Sequence, residues 1–206
     1  MAVLTISRMF GTGANELGEM IAKRLGYTFF DNELIQMVAK QAKVSTDWVT
    51  SMEKEAGGKF QKFLTSLVPK SLMEMILTSD YGYLDEEIYT DMLNHVITKI
   101  AEEGDAVILG RGGQYILRER SDTYHILLVA DLEYRINYVQ EYFELMKKQA
   151  VLAVAVEDKR RVNLYRKFGK VDYNQTDHYH VVFNMSRMDT EKACDMLCTL
   201  LGSCRF

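Results

Sequence analysis

Three stretches of the chain place cations or bare backbone where an anion could be held, and a fourth places a carboxylate nearby. Residues 7 to 15, Ser7-Arg8-Met9-Phe10-Gly11-Thr12-Gly13-Ala14-Asn15, set two glycines one residue apart beside an arginine. Gly110-Arg111-Gly112-Gly113 sets an arginine among glycines, and Lys159, Arg160, Arg161, Arg166 and Lys167 gather five cations within nine residues. Asp31 follows a short aromatic run, Tyr27 to Phe30. A glycine turn leading into a helix aims backbone N–H groups and the positive end of the helix dipole at one point, and such a point holds phosphate. The planar fork of arginine suits the same ligand.

The first stretch has the spacing of a P-loop but not its content. With Gly13 before the lysine position, that position is Ala14, the Ser/Thr position is Asn15, and Arg8 takes the place of the first glycine. The lysine charge and the magnesium-binding hydroxyl are therefore missing while the backbone cradle can persist. A turn that merely packs helix on strand is the alternative. Asp31 stands at a helix start, where it is either an N-cap worth about 1 kcal/mol or a ligand contact beyond a strand end. Arg111 has little to pack against, which favours anion binding over a solvated loop. A charge run is usually a solvated face, but this one is local and basic in an otherwise acidic chain.

These residues need elements to hold them. Ala2 to Ile6, Ala106 to Leu109 and Tyr124 to Val129 are apolar runs of the kind buried on both faces of a parallel sheet, and Tyr27–Phe30 and Tyr179–Phe183 add two shorter strands. Leu17, Met20, Ile21 and Leu25 give a helix that Gly26 closes; further helices are expected over 85–103, from Asp131 as cap through Ile136 and Val139, and over 147–168. The apolar half of that last helix, AVLAVAV, should be buried. Thr190 is the expected cap of a final helix that packs Ala193, Leu197 and Leu201 inward. Strands alternating with helices imply an α/β fold, a parallel sheet of about five strands with helices on both faces.

Residues 44 to 83 change character. Gly57-Gly58 and the lone proline, Pro69, interrupt methionine-rich helical pieces with one-sided apolar faces, which suit an inserted helical subdomain covering a substrate or, equally, a partner subunit in a homo-oligomer. At 206 residues the chain fits one domain with such an insertion. A net charge of -4 argues against general affinity for nucleic acid or for an anionic membrane. No amino-terminal signal or apolar run of membrane length is evident, and all three cysteines, Cys194, Cys198 and Cys204, lie near the end, so a reducing, cytoplasmic location is expected. Cys194 and Cys198 either share a metal with a third ligand or, the preferred reading, are small apolar residues on a helix face. The four histidines are scattered and suggest no metal cluster.

Taken together, ISRMFGTGANELGEMIAKRLGYTFFDNELI, VILGRGGQYIL, EDKRRVNLYRKF and YHVVFNMSRMDTEKA resemble the cytidylate kinase-like proteins of the P-loop nucleoside monophosphate kinase group, over nearly the whole chain outside 44–83. The resemblance implies a P-loop kinase fold with a helical substrate-binding region and an arginine-bearing lid at about 147–170. It implies ATP and Mg2+ as cofactors and a nucleotide or small phosphorylated compound as substrate. Gly11, Thr12, Gly13, Ala14 and Asn15, with Arg8 beside them, fall where donor phosphates are cradled. Asp31 falls on the aspartate that contacts the pyrimidine nucleotide, and Arg111 on the arginine of a GRD motif near the acceptor phosphate. Arg160, Arg161 and Arg166, with Lys159, fall in the lid that closes over the transferring group.

The chain departs from cytidylate kinases at Ala14 and Asn15, at Asn32 to Met37 where a TGxxYR run stands in those enzymes, and at Gly112 where GRD ends in aspartate. The subgroup it resembles commonly lacks the lysine. Two functions follow: transfer of the ATP γ-phosphate to a nucleoside monophosphate or other small phosphorylated acceptor, or nucleotide binding by a pseudokinase without catalysis.

Overall fold

A computed structural model describes residues 2–31, 86–167 and 174–202, with the side chains at 86–90, 92, 160, 164 and 167 left aside. The expected insertion at 44–83 and the last residues of the expected lid lie outside the described residues.

Five parallel strands form one sheet in the order β2-β3-β1-β4-β5. They are β1 (Val3–Arg8), β2 (Thr28–Phe30), β3 (Ala106–Leu109), β4 (Thr123–Val129) and β5 (Val181–Asn184). β1 is central because all six of its residues are buried, and it pairs on one side with β3 (Val3↔Ala106) and on the other with β4 (Val3↔Thr123). A strand covered on both faces has no use for polar alternation, which is why these runs read as continuous apolar segments.

The two faces carry different helices. Leu4, Ile6, Val107, Leu109, Ile126 and Leu128 pack against Leu17 and Ile21 of α1 (Ala14–Leu25) and against the last helix. Thr5 points the other way, and there Gly113, at the start of α3 (Gly113–Ile116), lies so close to its side chain that a Cβ would sit 3.1 Å from the Thr5 methyl. Leu93, Val96, Ile97 and Ile100 of α2 (Glu86–Glu103) are buried as well, and α2 packs on β3 and α3. The remaining helices are α4 (Leu132–Phe143), α5 (Lys147–Lys167) and α6 (Thr190–Gly202), and a single 3-10 turn, Thr176–His178, precedes β5. Among the described residues no helix is long and apolar enough to cross a membrane.

Several local expectations change. β1 runs on through Ser7 and Arg8 because β4 is long enough to pair with both, Arg8↔Leu128 being the last pair. β5 begins at Val181 rather than Tyr179, whose N–H closes the 3-10 turn on Thr176 O at 3.1 Å. Asp131 occupies the cap position of α4 but makes no side-chain cap bond; instead its own N–H donates to Ser186 Oγ at 2.7 Å. Asp189, not Thr190, caps α6: its Oδ1 accepts the Lys192 N–H at 2.7 Å. The apolar half of α5 is buried on one face alone. Ala150 and Val154, four residues apart, pack on Ile136 and Val139 of α4, while Leu152 is 65% exposed and Val151 and Val156 share its open side.

Candidate functional site

The glycine turn between β1 and α1 is held in shape from three directions. Thr12 is buried and its hydroxyl donates to Met9 O at 3.0 Å, closing the turn on itself. Gly11 has φ +82°, and a Cβ there would stand 2.7 Å from the carbonyl oxygen of Arg135 in α4. Gly13, at φ +70°, is the left-handed residue that starts α1. No side chain caps this helix, so its first N–H groups and the dipole behind them face the turn.

In front of the turn lies a cavity of about 500 Å3. Arg8 and Gly11 to Asn15 form its floor, Asp31 reaches it from beyond β2, and Tyr138, Tyr142 and Phe143 of α4 with Glu157 and Arg161 of α5 form the far wall. The wall is an aromatic stack. Phe10 stacks on Phe143 with centroids 6.1 Å apart, Tyr142 meets Phe143 edge-on at 4.8 Å, and Tyr138 stacks on Tyr142 at 5.5 Å. The Arg161 guanidinium lies over Phe10, 5.4 Å from its centroid, and its buried Nη1 has no hydrogen-bond partner. Burial, with Glu16 nearby, raises the Tyr138 phenol above its ordinary pKa, so it stays protonated.

Arg135 ties the parts together. Only 8% exposed, it donates from Nη1 to Asp158 Oδ2 of α5 at 2.7 Å and to Phe10 O of the turn at 3.4 Å. One side chain thus links α4, α5 and the phosphate-type loop.

The structure brings Arg8, Gly11, Thr12, Gly13, Ala14, Asn15, Asp31 and Arg161 to one cavity. Arg111 stands at the carboxyl end of β3, in the left-handed region (φ +57°) between Gly110 and Gly112, both also left-handed, but it is not part of this wall. Arg166 is exposed further along α5 and is also outside the wall, and the Arg160 side chain lies outside the described residues. Ala14 is nearly buried in the floor and the Thr12 hydroxyl is turned inward, so neither brings polar side-chain chemistry to the cavity. Sequence reasoning missed the aromatic wall, Glu157 and the Arg135–Asp158 pair. The i,i+4 spacing of Tyr138 and Tyr142 was the available signal; nothing in the spacing of Arg135 pointed across to α5.

Cys194 is fully buried on α6, packed within the core, with its Sγ 3.8 Å from that of Cys198, and burial beside Cys198 pushes its thiol pKa up to about 12. That is the behaviour of a small apolar residue. Among the described residues no three His, Cys, Asp or Glu side chains are placed to hold a metal ion.

Comparison with solved structures finds an uncharacterized protein from Eubacterium ventriosum ATCC 27560, 19% identical with a TM-score of 0.68, covering 98% of each chain. It also finds a shikimate kinase from Bacteroides thetaiotaomicron, 14% identical with a TM-score of 0.50 and 98% coverage of each chain. At such identities the likeness is one of fold. No curated protein matches the sequence. The model of the cytidylate kinase-like family matches residues 3–187, and the chain therefore belongs to the cytidylate kinase-like family, with its kinase-like, nucleotide-binding fold.

Proposed function

We propose that the protein transfers the γ-phosphate of ATP, with Mg2+, to a nucleoside monophosphate of cytidylate type or another small phosphorylated acceptor. The observation that carries this reading is Arg161: a guanidinium braced on Phe10, with a buried, unpartnered Nη1, in the wall of the cavity that the glycine turn floors. Phosphoryl transfer asks the protein for positioning and charge neutralisation rather than for a covalent nucleophile. Arg161 and Arg8 supply cations that Ala14 does not.

The residues present fit a nucleotide's phosphates. Gly11 and Gly13 put no side chain into the floor, and the uncapped start of α1 offers N–H donors. Magnesium, when bound, neutralises charge between the donor phosphates. Its fit here is leaner, because the Thr12 hydroxyl is committed to Met9 O, which leaves the Asn15 side-chain oxygen as the ligand the loop can offer. Mg2+ tolerates this, since it ordinarily keeps several waters. Asp31 is assigned to the acceptor base, Arg111 to the acceptor phosphate, and Arg160 and Arg166 to closure of the lid. A reaction that consumes ATP suits a cytoplasmic protein.

A second reading, nucleotide binding without transfer, draws on the same Ala14 and Thr12 placement. Calorimetry against ATP with Mg2+, followed by ADP release across nucleoside monophosphates, separates the two. Acceptor-dependent ADP release is the expected result. Binding without release, together with activity created by Ala14→Lys plus Asn15→Ser, assigns the chain to the binding class.

A further inference from the structure

A second cavity, of about 360 Å3, shares no wall residue with the first. It lies on the Thr5 face of the sheet, walled by Gln114 and Tyr115 of α3, His125 of β4, and Asp177, His178 and Tyr179 from the approach to β5. His125 is level with Thr5, three residues or about 10 Å before Arg8 along β1, so the two cavities belong to different parts of the sheet.

Two of its side chains are almost wholly buried and half satisfied. Gln114, 1% exposed, donates from Nε2 to Tyr179 Oη at 3.1 Å, while its Oε1 has no hydrogen-bond partner. His125, 4% exposed, has Nδ1 2.7 Å from Thr5 Oγ1, and the Leu117 backbone carbonyl also acts on its ring, although Nε2 makes no hydrogen bond of normal geometry. Buried polar atoms are normally paired. Here the fold fixes one end of each group, and the other end of both makes no hydrogen bond of normal geometry, in the wall of a single cavity.

The electrostatics are neutral. Burial and the neighbouring His180 push the His125 pKa down to about 4, so its ring is uncharged near pH 7. His180 Nδ1 accepts the His125 backbone N–H at 2.9 Å. Arg118 and Asp177 add one charge of each sign. A phosphate finds no net positive charge here, and the histidines are not arranged for a metal.

We propose that this cavity binds an uncharged nitrogen heterocycle, a free nucleobase or nucleoside, whose edge completes the hydrogen bonds of Gln114 and His125 and whose ring packs among Tyr115, His178 and Tyr179. A carboxamide matches the adjacent donor and acceptor of a base edge, aromatic rings stack on any base, and the volume is within the range of small-molecule sites. This site does not depend on phosphotransfer in the first cavity.

The test is histidine-selective NMR of the full chain titrated with adenosine, cytidine, guanosine and uridine. Three of the four histidines line this cavity and His95 of α2 does not. Binding here shifts the signals of His125, His178 and His180 and leaves His95 in place. Absence of any shift at millimolar nucleoside overturns the proposal, as do shifts that Arg161→Ala abolishes, because those report the first cavity. Gln114→Met keeps the shape and removes both the unpartnered oxygen and the Nε2 bond to Tyr179, so its thermal midpoint should change little while nucleoside affinity falls by about 10-fold or more. Unchanged affinity in a folded Gln114→Met protein overturns the proposal too. If that variant does not fold, the titration of the natural protein decides alone.

Discussion

The guanidinium of Arg161 stands 5.4 Å above the ring of Phe10, which fixes a cation from α5 over an aromatic residue of the glycine turn. A contact of this kind is worth about 0.5–2 kcal/mol, more where water is excluded. It holds a charge in the wall of the cavity that Ala14 also lines. Arg161→Ala is expected to lower acceptor-dependent ADP release by about 10³ or more, with a melting temperature lower than the parent's by about 1–8 °C. Phe10→Leu should lose less, about 10-fold, because the cation remains but is no longer braced. Equal activity in parent and Arg161→Ala removes the main support for phosphotransfer.

Gly11 tests the turn itself. A methyl group there meets Arg135 O at 2.7 Å on a backbone already at φ +82°. Gly11→Ala should cost about 2–4 kcal/mol in urea unfolding, from strain and overpacking together, and should abolish ATP binding. Gly26→Ala is the control: the φ is similar but the space is open, so its cost is about 1 kcal/mol and ATP binding persists.

The Arg135–Asp158 pair predicts strong coupling. Removing either partner leaves a charge with little solvent, and breaking such pairs costs about 3–5 kcal/mol when fully buried. Asp158 is partly exposed, so about 2–3 kcal/mol is expected for Arg135→Met or Asp158→Asn alone. A double-mutant cycle should show the double variant losing clearly less than the sum. Additive losses would mean that the pair contributes nothing as a pair.

His125 sets an acid limb on stability. Its pKa lies near 4 in the fold against 6.5 for the free group, so the unfolded chain takes up a proton first as pH falls. Stability is therefore complete above about pH 6.5 and declines toward pH 4, by up to about 3 kcal/mol. In His125→Gln the chemical-denaturation midpoint should change less over this window, with carboxylates providing what slope remains.

The sheet was legible because β1, β3 and β4 are buried on both faces and leave unbroken apolar runs. The glycine turn was legible because Gly11 and Gly13 mark positions that other residues enter only with strain. Contacts between elements were less visible. Periodicity places Tyr138 on a helix but does not say that α4 faces the turn, and Arg135 reads as an ordinary helical cation until Asp158 arrives from 23 residues away. The apolar stretch of α5 misled for a related reason: composition announces burial, yet Val151 and Leu152 turn away from the face that packs on α4. Thr190 failed as a cap because Asp189 takes the Lys192 N–H, and Asp131 makes no cap bond although its own N–H is held by Ser186.

The sheet order also governs how the protein is made. β1 leaves the ribosome first, but its neighbours are Ala106–Leu109 and Thr123–Val129, more than a hundred residues later. At about 5–20 residues per second, the central, wholly buried strand of the sheet waits roughly 5–20 s during translation for a partner. Until residues 106–129 are made, β1 is therefore a buried-type strand with no sheet to enter, and synthesis speed and chaperone supply bear on the yield of folded protein.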